Sequence, residues 1–174
     1  QMKGIFHSLA QGCMDPNEFM IRANQALIHC LERGSFISAI FFLIDSEHKV
    51  VKYARAGHCP VLYYSKKDDN TFYLKDKGVA LGMVRNHSYK EFIQQKEFAY
   101  SAGDIMLLYT DGITEAKNQR NEQFGNDQLA EVLAEVKDKD PKAIQDFLIK
   151  RLYEFSGTDN IDDDYTTLIV RFKS

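Results

Sequence analysis

Two stretches of this chain place carboxylates where apolar runs end, and carboxylates so placed can hold a hard divalent cation. In Gly103-Asp104-Ile105-Met106-Leu107-Leu108-Tyr109-Thr110-Asp111-Gly112-Ile113-Thr114-Glu115-Ala116, Asp111 follows a run too apolar to have a solvated face. The second stretch, 157–164, carries Asp159, Asp162, Asp163 and Asp164 and leads directly into the apolar run 166–172. Both runs read as strands, with Asp111-Gly112 as the chain's exit from the sheet. If these strand ends adjoin, the carboxylates converge, and magnesium or manganese, which take oxygen ligands, would relieve their repulsion. A plainer reading stands beside this one. Asp-Gly is a common turn dipeptide, and an acidic loop can simply be solvated.

Other chemistries find less support. There is no Gly-x-Ser-x-Gly nucleophile elbow. Cys13, Cys30 and Cys59 form no Cys-x-x-Cys pair, and their odd number and wide spacing suggest neither a disulfide framework nor a zinc site, which fits a reducing compartment. His29 lies beside a helix face and reads as packed or solvent-touching, whereas His58 sits at a strand junction in Arg55-Ala56-Gly57-His58-Cys59-Pro60. Gly78-Val79-Ala80-Leu81-Gly82 could bring backbone amides to a phosphate, but it lacks the following lysine with serine or threonine of a P-loop and opens no helix. The net charge of -3 and isoelectric point near 6.0 provide no basic field for nucleic acid or an anionic membrane surface. No apolar run approaches the roughly 18 residues of a membrane span, and no signal-peptide pattern is present, so the segment reads as soluble and without membrane contact.

The elements that must position these residues follow from periodicity. Residues 2–9 have helical spacing with no capping residue before them, as if the chain opened inside a helix. Asp15-Pro16-Asn17-Glu18 supplies a cap, an N1 proline and first-turn acid for a helix to about residue 32, with Phe19, Ala23, Ala26, Leu27, Cys30 and Leu31 on its apolar face and Gly34 as its stop. Residues 36–44 read as a strand buried on both faces, followed by hairpin partner 50–54. A second hairpin comprises 61–64 and 71–74, and 89–99 reads as a weaker edge strand. Asn126 or Asp127 caps a helix bearing Leu129, Val132, Leu133 and Val136, and Asp140-Pro141 starts another. Strands in hairpins with helices grouped around them predict one α+β domain over residues 1–174.

The ordered set Ala56-Gly57-His58-Cys59-Pro60, Gly78-Val79-Ala80-Leu81-Gly82, the stretch from Gly103 to Ala116, Phe124-Gly125 and Asp163-Asp164-Tyr165-Thr166 resembles the SpoIIE-type (RsbU-like) bacterial branch of the metal-dependent, protein phosphatase 2C-like serine/threonine phosphatases. The resemblance implies an α/β-sandwich of two mainly antiparallel sheets flanked by helices, with two manganese or magnesium ions at one end. By the same resemblance Asp111 and Asp163 are metal ligands and catalytic residues, with Asp164 the nearest rival to Asp163. The reaction implied is attack of metal-activated water on phosphoserine or phosphothreonine, and the implied partner is a phosphorylated, anti-anti-sigma-like regulatory protein. His58 receives no catalytic role; a positioning or structural task suits it better.

By the same resemblance, the family's first metal-binding motif, a Gly-Asp-x-Ser-Gly segment, lies before the helix to which residues 1–9 correspond. The expectation is therefore of a domain lacking its N-terminal strands and first ligands, inactive by itself, and cytoplasmic, with room for a sensory or membrane-bound N-terminal region. The competing expectation is a non-catalytic interaction domain that keeps the phosphatase fold.

Overall fold

The computed structural model describes residues 2–10, 15–157 and 164–173. They fall into two compact units, one drawn from 1–58 and 76–100, the other from 59–75 and 101–174. Each has its own antiparallel sheet.

The first unit holds helices α1 (Met2–Ala10) and α2 (Pro16–Leu27) and strands β1 (Ala39–Asp45), β2 (Val50–Ala56) and β5 (Gln95–Ala99), in sheet order β1-β2-β5. Asp15 caps α2 as its sequence demands, its Oδ1 accepting from Glu18 N at 3.0 Å. Phe19, Met20, Ala23 and Leu27 bury one face of α2 against Ala54 and Ala56 of β2, with Leu81, Tyr89 and Ile93 completing the core. The small alanines of β2 let the helix approach, and Phe19 stacks on Phe41 at 4.2 Å.

Three expectations for this unit need correction. Helix α2 stops at Leu27, not near residue 32, and His29 and Cys30 are exposed. The Arg85 guanidinium donates to the carbonyls of Ile28, Leu31 and Glu32, at 3.1, 2.9 and 2.6 Å, and so satisfies the acceptors at the helix end. The run expected to be buried on both faces begins later, and β1 is an edge strand, half-buried along most of its length, with Phe36 before it 59% exposed. Apolar composition marked the strand correctly, but the number of neighbours is set by topology. Only 95–99 of the expected strand 89–99 pairs, at an edge as foreseen; His87–Glu91 is a 3-10 turn whose buried Tyr89 donates to Val79 O at 2.9 Å.

The second unit holds β3 (Val61–Ser65), β4 (Asn70–Leu74), β6 (Ile105–Tyr109) and β7 (Thr167–Arg171), in sheet order β4-β3-β6-β7, with helices α3 (Asp111–Thr114), α4 (Gly125–Val136) and α5 (Pro141–Ser156). Leu62, Tyr64, Ile105, Leu107 and Tyr109 form one buried face, covered by Leu129, Val132 and Leu133 of α4 and Ile144, Leu148 and Leu152 of α5. Asp140 caps α5 through Ala143 N at 2.9 Å, but neither Asn126 nor Asp127 caps α4, which begins at Gly125. Asn126 is used elsewhere: Tyr109 Oη donates to its side chain at 2.8 Å, and Tyr73 Oη to its backbone oxygen at 2.7 Å.

The carboxylate just before β6 is a structural centre of this unit. Asp104 is 3% exposed. It accepts from Tyr63 Oη at 2.6 Å, Lys66 N at 2.8 Å and Ser101 N at 2.7 Å, so its burial is compensated by donors from two separate parts of the unit. Burial, reinforced by the bond to this carboxylate, pushes the Tyr63 phenol above its ordinary range, and burial pushes Tyr73 up to about 12.

Two outcomes follow. Asp104→Ala strands a buried phenol and two amides and should cost about 3 kcal/mol in urea unfolding. The raised phenol pKa values mean that the unfolded chain loses these protons first, so their contribution is intact below about pH 10 and declines as pH rises toward about 12. Urea midpoints measured across that interval should fall more steeply for the parent chain than for Tyr73→Phe.

Candidate metal centre

Antiparallel pairing of β6 with β7 sets the geometry of the candidate site. Tyr109 lies opposite Thr167, so the C-terminal end of β6 adjoins the N-terminal end of β7. Beyond the ladder, Thr110 N donates to Thr166 O at 3.1 Å, and Thr166 N donates to Thr110 Oγ1 at 2.9 Å. This clasp occupies the Thr110 side chain, which consequently makes no capping bond to α3 although Thr110 stands at its N-cap position.

Asp111 opens α3, a single turn where the sequence suggested only an exit turn. Ile113 is fully buried in the core, while Asp111 remains exposed. The carbonyl of Asp111 accepts from Glu115 N at 2.8 Å, but its carboxylate makes no hydrogen bond or ion pair among the described residues. Gly112 lies against the backbone of Asp164: a Cβ there would sit 2.5 Å from Asp164 O and 3.2 Å from its carbonyl carbon. The Asp-Gly turn and Asp164 are therefore in direct backbone contact.

Asp164 is exposed, and Tyr165 beside it is anchored to α5, its Oη lying 3.1 Å from Tyr153 Oη. That bond and burial raise the Tyr165 phenol pKa. Asp159, Asp162 and Asp163 lie outside the described residues, as does Cys13. Among the described residues no group of three or more His, Cys, Asp or Glu side chains is gathered to hold a metal. An exposed carboxylate with no hydrogen bond or ion pair among the described residues, one residue before the glycine that meets the Asp164 backbone, is nevertheless a donor of the kind a hard cation takes.

His58 and the glycine segment belong to the other unit. His58 is half-buried, and Arg55 Nη1 donates to its backbone carbonyl. The amides that might have cradled phosphate are spent internally: Val79 N donates to Phe92 O at 3.2 Å, Leu81 N to Ile37 O at 2.9 Å, and Gly82 N to the buried Asn24 Oδ1 at 2.7 Å. Asn24, Thr110 and Thr166 were missed by sequence reasoning. The two threonines lie within the quoted motifs, which was the available signal; Asn24 gave none beyond being polar on an apolar helix face.

Comparison with known proteins settles the lineage. The family model described as Stage II sporulation protein E (SpoIIE) matches residues 1–173. The chain belongs to the SpoIIE family. Among curated relatives, Phosphoserine phosphatase RsbU of Bacillus subtilis (strain 168) is 30% identical over 176 residues, a match covering 99% of this chain and 50% of RsbU. The SiaA-PP2C domain of Pseudomonas aeruginosa superposes with a TM-score of 0.81 at 22% identity, covering 97% of this chain and 66% of that one. The manganese-presoaked phosphatase domain of SpoIIE from Bacillus subtilis gives 0.65 at 18% identity, covering 99% and 73% respectively. The chain thus spans about half the length of RsbU. The expected fold class, two antiparallel sheets with flanking helices, is that of these SpoIIE-type domains. Among the described residues no helix is long and apolar enough to cross a membrane.

The close approach at Gly112 makes a specific prediction for this family member. Gly112→Ala must displace the Asp164 backbone or the α3 turn and should cost about 1–3 kcal/mol. Amide hydrogen exchange should show faster exchange at Thr166, whose N–H closes the clasp; unchanged protection would mean the turn accommodates a Cβ freely.

Proposed function

We propose that this chain is part of the catalytic domain of a metal-dependent phosphatase that removes phosphate from phosphoserine or phosphothreonine on a regulatory protein of the anti-anti-sigma type. The observation that carries the reading is the contact of Gly112 with the Asp164 backbone, at the end of the sheet where β6 leaves and β7 enters. The similarity to RsbU supports the phosphoserine chemistry, and the family resemblance supports the choice of partner.

In this reading Asp111 and Asp163 hold manganese or magnesium, with Asp164 able to take the place of Asp163. A divalent cation at these carboxylates would supply an activated water nucleophile and neutralise charge on the phosphoryl oxygens. The chain's own residues provide the frame: the Thr110–Thr166 clasp fixes the two strand ends, buried Ile113 orients α3 so that Asp111 projects outward, and Tyr153 holds Tyr165. Two carboxylates bind such an ion weakly, so residues 1–174 alone should turn over little phosphate, and a Gly-Asp-x-Ser-Gly segment supplied upstream should raise activity.

The test separates binding from turnover. Manganese titrated into residues 1–174, followed by water-proton relaxation, should show weak binding that Asp111→Asn abolishes while unfolding stability changes by less than about 0.5 kcal/mol, because the side chain is exposed. With the upstream segment present, manganese-dependent hydrolysis of an aryl phosphate should appear and be lost in the same variant. Full activity of Asp111→Asn would eliminate the assignment, and metal-independent recognition of the phosphoprotein without turnover would favour an interaction domain.

A further inference from the structure

The first unit contains a pocket of about 390 Å³ lined by Arg55, Lys77, Gly78, Val79, Phe92 and Gln94, with Glu91 also at its wall. It is distinct in composition from the acidic centre. Arg55 is half-buried, and its partners are backbone carbonyls: Nε and Nη2 donate to Asp76 O, the former at 2.7 Å, and Nη1 donates to His58 O. These bonds fix the guanidinium plane; among the described residues no carboxylate lies within ion-pairing distance of it, and one N–H on each terminal nitrogen remains outside these bonds. The nearby Asp76 carboxylate instead accepts from Tyr53 Oη.

The rest of the wall is consistent with that uncommitted charge. Lys77 is exposed and forms no ion pair among the described residues. Gly78 makes the arrangement possible, since a Cβ there would fall on the Arg55 carbonyl oxygen; only glycine lets the 77–78 backbone lie flat on β2, where Gly78 O also accepts from Gly57 N at 2.9 Å. Phe92, 44% exposed, supplies an apolar surface, and Gln94 supplies an amide. Glu91 opposes the two cations and lowers, without cancelling, the positive balance of the lining.

We propose that this pocket is a recognition site for an anionic side chain of a protein partner, a carboxylate or a phosphate monoester, seated on the remaining N–H groups of Arg55 and on Lys77 while an adjacent apolar residue packs on Phe92. A rigid guanidinium offering N–H groups from both terminal nitrogens matches the paired oxygens of either group. The site operates irrespective of whether the acidic centre binds metal.

The test is a titration of ¹⁵N-labelled residues 1–174, without added metal, with inorganic phosphate, with the blocked peptide acetyl-Glu-Phe-Glu-amide, and with its Gln-Phe-Gln counterpart. Phosphate or the Glu peptide should shift the Gly78 backbone and Gln94 side-chain amide signals in a saturable manner, and whichever does so more strongly identifies the anion; the Gln peptide should not. Lys77→Glu, at an exposed position that leaves the fold intact, should weaken binding by about tenfold or more, whereas Glu91→Gln should strengthen it. Equal shifts from the Gln peptide, no saturable shift from either anion, or binding indifferent to both substitutions would overturn the proposal.

Discussion

Pairing between β6 and β7 is the constraint on which the candidate centre depends. The two strands are far apart in sequence, and exposed acid follows β6 and precedes β7; antiparallel alignment makes those ends the same rim of the sheet. A shift of register by one residue would reverse which side chains enter the core and would carry Asp111 away from Asp164. Ile105, Leu107 and Tyr109 lock that register by burial beneath α4 and α5, so the apolar packing of the sheet determines the position of its charged margin. The Thr110–Thr166 clasp extends the alignment past the last ladder pair to the residues that matter for chemistry.

Polar groups inside the second unit follow a similar logic. Tyrosines at positions 63, 64, 73 and 109 place rings in or against the core and send each hydroxyl to a defined acceptor: Asp104, Asp69, and the side chain and backbone of Asn126. Each ring contributes apolar burial, while its hydroxyl ties a strand to a loop or helix start. Asp104 joins the end of the β3 hairpin to the approach to β6, and Asn126 ties the first turn of α4 to two strands. These bonds account for polar side chains in places where binary patterning alone would have put them in solvent or at a cap.

Much of this architecture was legible because periodic burial leaves a direct trace in sequence. The run ending at Tyr109, the second hairpin and the Asp15-Pro16 and Asp140-Pro141 helix starts stand where residue type and spacing put them, and the first hairpin forms with a later start. What could not be read depended on distant partners. Arg85 intercepts the carbonyls after Leu27, Asn126 is recruited by tyrosines from other strands, and Asp104 becomes buried because Tyr63 comes to meet it. At the candidate centre, the sheet order makes the two strand ends adjoin, with Gly112 against the Asp164 backbone; Asp163 lies outside the described residues.

The interleaving of the two units in sequence has a bearing on how the chain acquires its fold. The described elements of the first unit all precede residue 101, but β3 and β4 belong to the second unit and must wait for β6, α4, α5 and β7. During N-to-C synthesis the first core can collapse early. The β3–β4 hairpin, an element of marginal stability in isolation, must meanwhile remain as a side branch. All five residues of β3 are buried in the finished structure. Until β6 emerges to pair with it, that strand is an unsheltered apolar ribbon, and edge-to-edge association is the hazard of that interval.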